Sequence, residues 1–468
     1  MSSASTRPDP EAQGHHGLAR DLTLFDAINL VIGTIIGSGI FLVPAEIARA
    51  VHTPTWMLAV WVIGGVLTML GALSLAELGA AMPEAGGIYT FITRGFGRLW
   101  GFLCGWMLFT VATSGSIATL GAAFPIYLGA FVPLNPTTTK VAGVVVIALL
   151  TWINVIGVKN GARVGNFLTA CKVGGLVVMV LAIFLLPGPR PEAAAATATA
   201  PPLPSGPIPM AAVGVALVAV LWAYEGWHDV TFAAGELRDP QKNFPRAIVG
   251  GVGIVIVLYL LANFAYLKVL TPAEIAASDR VALTAMTRVT GVWGGKLLTA
   301  AILCSILGAM NALILAGPRA YYQMAKDGLF VDRVSRVHPK WRTPVDALIF
   351  QGVWSAFLVL FIGGFSQLFT YVIFGGWIFY ALAVLSVVAL RRKEPNLVRP
   401  YRVPGYPVVP FLFVATAAAI VINTLIATPR ESTIGLAFIA LGIPVYYATV
   451  GRRVAPPDST RRAASETA

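Results

Sequence analysis

The chain of 468 residues is 57% hydrophobic and only 12% charged, with a mean hydropathy of +0.78. Soluble domains carry about 25% charged residues, so this composition excludes an ordinary soluble protein and indicates a membrane protein. The net charge of +12 resembles that of a nucleic-acid-binding protein. Its basic residues lie mainly between apolar segments, however, where anionic lipid attracts them. We therefore expect the lipid bilayer, and no nucleic acid, as the partner.

Repeated apolar segments of about 20 residues predict transmembrane helices. Twelve such segments lie near 23–48, 56–80, 99–130, 138–157, 163–186, 208–234, 246–269, 292–325, 345–363, 367–390, 408–427 and 433–450. The polar residues before them lack the apolar core of a cleavable signal, so the first span is expected to direct insertion.

The distribution of basic residues predicts the orientation in the membrane. With an even number of spans, both termini lie on one side; of the 33 lysines and arginines, 23 fall on that side, eight on the other and two within spans. By the positive-inside rule, both termini are expected in the cytoplasm. The predicted location is the plasma membrane, which is the inner membrane of a bacterial cell.

The first span is interrupted by glycines, in the sequence VIGTIIGSGIF (31–41). Glycine weakens a membrane helix and frees backbone groups that hydrocarbon cannot satisfy, so such a break is tolerated where it lines a cavity or a site. A half-helix starting there would direct the N–H groups of Ser38, Gly39 and Ile40 at an anion.

Lys172 lies inside the fifth span, nine residues beyond Arg163. That separation is about 13–14 Å along a helix, which approaches the middle of a hydrocarbon core about 30 Å thick. Charges at such depth are costly and indicate function. The alternative is a structural cation that pairs with backbone carbonyls, and the two interpretations coincide if the ammonium replaces a bound sodium ion.

A proline- and alanine-rich segment, 187–209, separates five spans from the next five and predicts an external linker (191–207). An odd number of spans in each half inverts the second half relative to the first. We therefore predict a first repeat at 21–190 and a second, inverted repeat at 208–393. Two accessory helices follow at 394–454, and the polar ends, 1–20 and 455–468, are expected to be disordered.

A second break is predicted in the sixth span, at LWAYEGWHD (221–229). It would expose the carbonyls of Leu221 to Tyr224, which suit an ammonium group. The carboxylate of Glu225 adds to that attraction or carries a proton, or else it pairs with Lys172 or a hydroxyl and only holds the fold. Trp222 adjoins the break and is the aromatic expected at the site, whereas Asn311 and Trp377 are supporting candidates.

Two interrupted spans at matching positions in two halves of a chain indicate a secondary transporter with a site at the midplane of the membrane. A metal-dependent enzyme has little support, because the five histidines form no HExxH motif or Cys/His cluster. A channel would need a repeated filter or a ring of like charges. We expect no metal, no cofactor and no enzymatic activity.

Several motifs in combination resemble those of the amino acid–polyamine–organocation transporters. They are GTIIGSGIF (33–41), PEAGGIY (83–89), GFLCGW (101–106), GELRDPQKNFPRAI (235–248) and PRAYYQMAKDG (318–328). The likeness extends from about Leu22 to Arg402. WAYEGW (222–227) and TACK (169–172) resemble most the L-type amino acid transporters and their bacterial relatives, including serine/threonine exchangers, although many members have glycine where this chain has Glu225.

The resemblance implies an all-α membrane protein of twelve helices with the leucine-transporter-like fold: a 5+5 inverted repeat and two extra C-terminal helices. It implies that the first break holds the substrate carboxylate, that the second holds its amine, that Trp222 acts as the aromatic gate, and that Lys172 fills a cation site. The expected substrate-binding residues are Ile36, Gly37, Ser38, Gly39, Ile40, Trp222, Ala223, Tyr224 and Glu225.

The expected function is sodium-independent amino acid transport, most simply the exchange of small neutral L-amino acids by alternating access. The alternative is a proton-coupled symporter with a broader or cationic substrate range. Animal members bond a glycoprotein heavy chain through a cysteine between spans three and four. The corresponding loop here, VPLNPTTTK (132–140), has none, so no disulfide-linked partner is expected.

Overall fold

The structure, a computed structural model, describes residues 22–84, 86–186, 203–204, 206–341, 343–362 and 364–449. The predicted disordered ends and most of the predicted linker, 191–207, lie outside these ranges. Within them the protein is built from helices, and the β-structure is limited to one isolated bridge between Leu22 and Leu237. The all-α prediction is therefore confirmed.

The first part of the described chain forms eight α-helices. They are α1 (Leu24–Ile35), α2 (Gly39–Val51), α3 (Pro54–Ala81), α4 (Ile88–Phe96), α5 (Arg98–Met107), α6 (Thr113–Leu128), α7 (Pro136–Val155) and α8 (Val158–Leu185). A π-helical segment, Leu108–Ala112, joins α5 to α6, so that these three elements run as one span.

The second part forms nine more. They are α9 (Met210–Ala223), α10 (Pro240–Val269), α11 (Pro272–Ala277), α12 (Val281–Thr290), α13 (Val292–Lys326), α14 (Val345–Phe361), α15 (Phe365–Lys393), α16 (Val408–Ala427) and α17 (Pro429–Thr449). Two 3₁₀ segments, Asp229–Glu236 and Asp332–Ser335, follow α9 and α13.

Nine helices in the described residues are long and apolar enough to cross a membrane, and α1 with α2 forms a tenth span if the pair counts as one. α9 and α14 are apolar but shorter. Large apolar side chains remain exposed on the outer helices, such as Trp293 and Ile426, as a surface facing lipid requires. The chain is therefore a multi-pass membrane protein.

The two interrupted spans lie inside the bundle. α1 packs against α10, α13 and α8, and α2 packs against α9. Local sequence explains where α1 begins, because Thr23 and Asp26 form a reciprocal capping box in which each side chain bonds the other residue's N–H group. The bundle thus surrounds both breaks with neighbouring helices that can satisfy the freed backbone groups.

Candidate substrate site

The first break lies between α1 and α2, which are bent by 41° relative to each other. α1 ends at Ile35 and α2 begins at Gly39, so the N–H groups of Gly39 and Ile40 belong to a first helical turn and lack intrahelical acceptors. The hydroxyl of Ser38 is buried and has no hydrogen-bond partner. The predicted donors therefore come together at the start of a half-helix inside the protein.

The carbonyl end of α1 is held by two side chains. The buried ammonium of Lys172 donates to the carbonyl oxygens of Gly33, at 2.5 Å, and Ile36, at 2.9 Å. The hydroxyl of Ser305, on α13, lies 3.0 Å from the carbonyl oxygen of Gly37. A cation is favourable at the negative end of a helix, so Lys172 stabilises the α1 terminus from α8. Ser305 connects α13 to the same break.

The second break begins where α9 ends at Ala223, and it continues as a 3₁₀ segment from Asp229. Gly226 between them has φ +99°, a conformation that glycine adopts readily. The carbonyl oxygens of Trp222 and Ala223 accept from Glu225 N and the Tyr259 hydroxyl. Two of the four carbonyls expected to be exposed are thus already occupied.

The two breaks contact each other directly. The Tyr259 hydroxyl of α10 lies 3.1 Å from the carbonyl oxygen of Ile35 and 2.9 Å from that of Ala223. The Thr34 hydroxyl donates to the carbonyl oxygen of Gly226 at 3.0 Å. A Cβ atom at Gly39 would lie 2.5 Å from the Cα atom of Ala223, so the approach of α2 to α9 requires glycine.

A cavity of about 20 Å³ lies at this junction. Its lining comprises Thr34, Ile35, Gly37, Ser38, Gly39, Ser116, Leu120, Trp222, Glu225, Gly226, Ala309 and Leu313. A volume of about 10–15 Å³ on this measure holds one water molecule. The cavity must therefore widen before any larger ligand can occupy it.

Larger cavities lie on either side of this central cavity. One of about 940 Å³, the α12 vestibule, is lined by Arg280 and Leu283 at the start of α12 and by Phe365 of α15. The other, of about 200 Å³, is the N-terminal vestibule, lined by Asp26 and Asp229 among others. The long connection between α10 and α13 therefore forms part of a cavity wall.

Trp222 separates the central cavity from the α12 vestibule. Its ring stacks on Phe369, with centroids 6.2 Å apart and planes at 20°, and it meets Phe365 edge to face. Trp222 lines the central cavity and Phe365 lines the vestibule. An aromatic layer is thus placed where the gate was predicted, although its movement stays a prediction.

Glu225 faces the central cavity and bonds a hydroxyl. Its Oε1 atom accepts from the Tyr380 hydroxyl of α15 at 2.5 Å, and its Oε2 atom is buried without a partner. The sequence left two pairings open for Glu225, with Lys172 or with a hydroxyl. Glu225 pairs with the hydroxyl of Tyr380, whereas the described hydrogen bonds of Lys172 go to α1.

The remaining predicted residues lie around the cavity without lining it. The Tyr224 ring packs between Trp61 and Tyr259, and the Trp377 ring stacks on Phe413. Asn311 accepts from the amide of Asn154 on α7 at 2.8 Å and lines the N-terminal vestibule. Ile36, Ile40 and Ala223 take part through their backbone positions.

Sequence reasoning missed three hydroxyls that organise the site, those of Tyr259, Ser305 and Tyr380. The sequence contains a pattern from which the role of Tyr259 could have been predicted. Tyr259 and Tyr266 are seven residues apart on α10, two helical turns, so they share a face. Tyr266 likewise donates to α2, at the carbonyl oxygen of Ile40. A pair of tyrosines at this spacing in an apolar span indicates a face that meets exposed backbone.

Comparison with known proteins agrees with this architecture. The family model described as amino acid permease matches residues 22–450. The chain belongs to the amino acid permease family. The match covers both breaks and all the helices described above, so the family's sequence pattern extends over the whole described bundle.

Individual members of the family align over nearly all of the chain. The serine/threonine exchanger SteT of Bacillus subtilis is 34% identical, over 94% of this chain and 98% of that protein. The large neutral amino acids transporter small subunit 2 of Rattus norvegicus is 30% identical, over 95% and 84%. The b(0,+)-type amino acid transporter 1 of Mus musculus is 30% identical, over 92% and 88%. These relatives are transporters, not enzymes.

Proposed function

We propose that this permease exchanges small neutral L-amino acids across the cell inner membrane by alternating access. The contact of the two breaks around one cavity carries the proposal. The N–H groups at the start of α2, with Ser38, suit a substrate carboxylate, and Glu225 with the backbone of the second break suits its ammonium group. Relatives named as exchangers and transporters of amino acids agree with this substrate class.

We propose that transport does not use sodium. The ammonium of Lys172 lies on the Gly33 and Ile36 carbonyl oxygens, where a cation would otherwise neutralise the negative end of α1. A covalently attached charge at this place makes a second, diffusible cation unfavourable through like-charge repulsion.

Counterflow in proteoliposomes tests the function. Purified protein is reconstituted with or without internal unlabelled serine, and uptake of a panel of radiolabelled amino acids is measured in sodium and in choline buffer. An exchanger takes up label only against internal substrate and is indifferent to sodium. Equal uptake into liposomes without internal amino acid would exclude obligatory exchange.

For the topology we propose twelve spans, with a five-helix repeat at 21–190, its inverted counterpart at 208–393 and accessory helices at 394–454. The nine long helices, the bent pair and the two shorter apolar helices support this number. The position of one break in each repeat supports the inversion. We propose no disulfide-linked partner, since all three cysteines lie in α5, α8 and α13.

Both termini are expected in the cytoplasm, because 23 of the basic residues lie in the loops and terminal segments on their side of the membrane. Single cysteines introduced at each end of a cysteine-free variant should resist a membrane-impermeant maleimide in intact cells and react after permeabilisation. A cysteine introduced in the 132–140 loop serves as the externally labelled control. Labelling of either end in intact cells would contradict this topology.

Replacing Trp222 by alanine is expected to raise the apparent KM for exchange about tenfold or more, since losing about 1.4 kcal/mol of contact with the bound substrate weakens binding tenfold. The ring lies between the central cavity and the α12 vestibule, so its loss opens a path for water and substrate. The measurement is concentration-dependent counterflow. Trp293→Ala, at a side chain 79% exposed, is the matched control, and equal kinetics of both variants would remove Trp222 from the gate.

Small neutral amino acids are expected to compete with labelled serine, and arginine or lysine to compete weakly. The substrate ammonium already meets Glu225, whose carboxylate is bonded by Tyr380, and a second cation would need its own partner at this depth. Glu225→Gln keeps the shape and is expected to lower neutral exchange. Competition by arginine or lysine but not by serine, threonine or alanine would overturn the substrate assignment.

A further inference from the structure

Three titratable side chains follow one another through the second break. Glu225, His228 and Asp229 are 9%, 3% and 5% exposed. The Nδ1 atom of His228 lies 3.8 Å from Glu225 Oε1, and its Nε2 atom lies 3.5 Å from Asp229 Oδ1. A single imidazole thus stands between two carboxyl groups, with a different ring nitrogen facing each of them.

No lysine or arginine among the described residues pairs with either carboxyl group. Lys172 is engaged by the carbonyls of α1, and Arg319 pairs with Glu236 at 3.0 Å. Glu225 Oε2, His228 Nδ1 and Asp229 Oδ2 are all buried without a hydrogen-bond partner. A buried carboxylate without a cation is costly, so protons are the charges available to neutralise this cluster.

The cluster connects two cavities. Glu225 lines the central cavity and Asp229 lines the N-terminal vestibule. His228 lies between them, packed against the rings of Trp227, Phe232 and Tyr380. The imidazole is therefore the ionisable group that lies between the two carboxyl groups on this wall.

Other ionisable groups face the cluster from the elements packed around it. Tyr380 of α15 bonds Glu225, Tyr321 of α13 lies near Asp229, and Cys104 of α5 lies near Tyr380. The N-terminal vestibule adds Asp26 of α1 and the ion pair of Glu236 with Arg319. Among the residues that the structure describes, the imidazole is therefore the one basic group directly between the two carboxyl groups.

We propose that Glu225, His228 and Asp229 form a proton relay between the central cavity and the N-terminal vestibule, so that the half-cycle that moves the amino acid towards this vestibule carries a proton that the return half-cycle does not. The proposal rests on the function proposed above. Asp229 first releases its proton to the vestibule and then takes the proton on Nε2 of His228, while Nδ1 of the imidazole takes the proton of Glu225. Glu225 is left as a carboxylate and is reprotonated from the central cavity, Asp229 is protonated again, and the imidazole returns to its starting tautomer before the next transfer.

In this conformation the two distances along the relay are too long for proton transfer. Proton transfer needs donor and acceptor within about 2.6–3.2 Å, whereas the two separations are 3.8 Å and 3.5 Å. All three residues lie at the break between α9 and the 3₁₀ segment, and Gly226 with φ +99° is inside it. A rearrangement of this break that admits substrate also changes both gaps, which links proton movement to transport.

Proton movement and exchange are measured in the same proteoliposomes. Pyranine trapped inside reports the internal pH after serine is added outside, with the membrane potential clamped, and counterflow is measured at equal pH on both sides. We expect serine-dependent proton movement in the wild type. Asp229→Asn and His228→Gln are expected to reduce the proton signal about a hundredfold, with counterflow retained. Asp346→Asn and His338→Gln are the matched controls in solvent-accessible positions, and both should keep the proton signal.

The outcomes separate the relay from the function. Counterflow without serine-dependent proton movement in the wild type overturns the relay and leaves exchange intact. Proton-coupled uptake without counterflow supports the relay and overturns exchange. The absence of both overturns the two proposals together. If Asp229→Asn and His228→Gln elute and melt like the wild type but keep full proton movement, the path does not run through them.

Discussion

The Lys172→Ala variant is expected to lose exchange activity by at least about tenfold while inserting into the membrane normally. The substitution leaves the carbonyl oxygens of Gly33 and Ile36 buried without the ammonium that bonds them. Each buried group left unsatisfied costs about 1–3 kcal/mol, and about 1.4 kcal/mol is a factor of ten in an equilibrium. The end of α1 would lose its position relative to the cavity.

The matched control for Lys172 is Lys268→Ala. Its ammonium also donates to two backbone carbonyls, those of Ile183 and Phe184, but at the end of α10 and not at a break. Counterflow and membrane abundance are measured for both variants. Equal activity of Lys172→Ala and Lys268→Ala would contradict the role of Lys172. Recovery of Lys172→Ala by added sodium would support it, because a free cation could then occupy the same carbonyls.

The Gly226→Ala variant is expected to abolish most exchange and to lower the melting temperature. Gly226 has φ +99°, and a Cβ atom there would lie 2.9 Å from the backbone carbonyl carbon and oxygen of Thr34. The left-handed conformation costs an L-residue about 1–2 kcal/mol, and overpacking adds about 1–3 kcal/mol. The strain would fall on the hydrogen bond from Thr34 to Gly226 that joins the two breaks.

Gly250→Ala is the control for this second variant. It lies on α10, and no atom stands within 4 Å of a Cβ atom built there. Alanine is favoured over glycine inside a helix by about 0.5–1 kcal/mol, so this variant should melt at the same temperature as the wild type or slightly higher. Counterflow and thermal denaturation in detergent are the measurements. A Gly226→Ala protein as active and stable as Gly250→Ala would show that the contact with Thr34 is not needed.

The sequence allowed the helical architecture and both breaks to be predicted, for a clear physical reason. Hydropathy gives the length of apolar segments. A glycine or a charge inside such a segment destabilises a membrane helix, so its presence indicates a structural or functional role. Gly37 and Gly39 indicated the first break in this way, and the charge of Lys172 indicated the side chain that bonds the end of α1. The second break was predicted at 221–229, inside a span of continuous hydropathy, and the structure ends α9 at Ala223 and continues as a 3₁₀ segment from Asp229.

The details of the site depend on rotations that hydropathy does not encode. A membrane helix is apolar on its lipid face and on its packed face, so the pattern gives weak information about which side chains point inward. Trp377 was expected beside the site but stacks on α16, and Tyr224 packs against α3. Tyr380, from the same helix as Trp377, reaches Glu225 instead.

The β-bridge at Leu22 ties the start of α1 to the end of the second break. Leu22 N donates to the carbonyl oxygen of Glu236, and Arg238 N donates to that of Leu22, both at 2.9 Å. Together these bonds are worth about 1–3 kcal/mol. If α1 and the segment after α9 moved separately, these two hydrogen bonds would break in every transport cycle. If the two elements move together, the bonds stay intact. The bridge therefore favours a transport cycle in which α1 and the 3₁₀ segment after α9 move together. The bending then occurs at the two breaks that contain glycine.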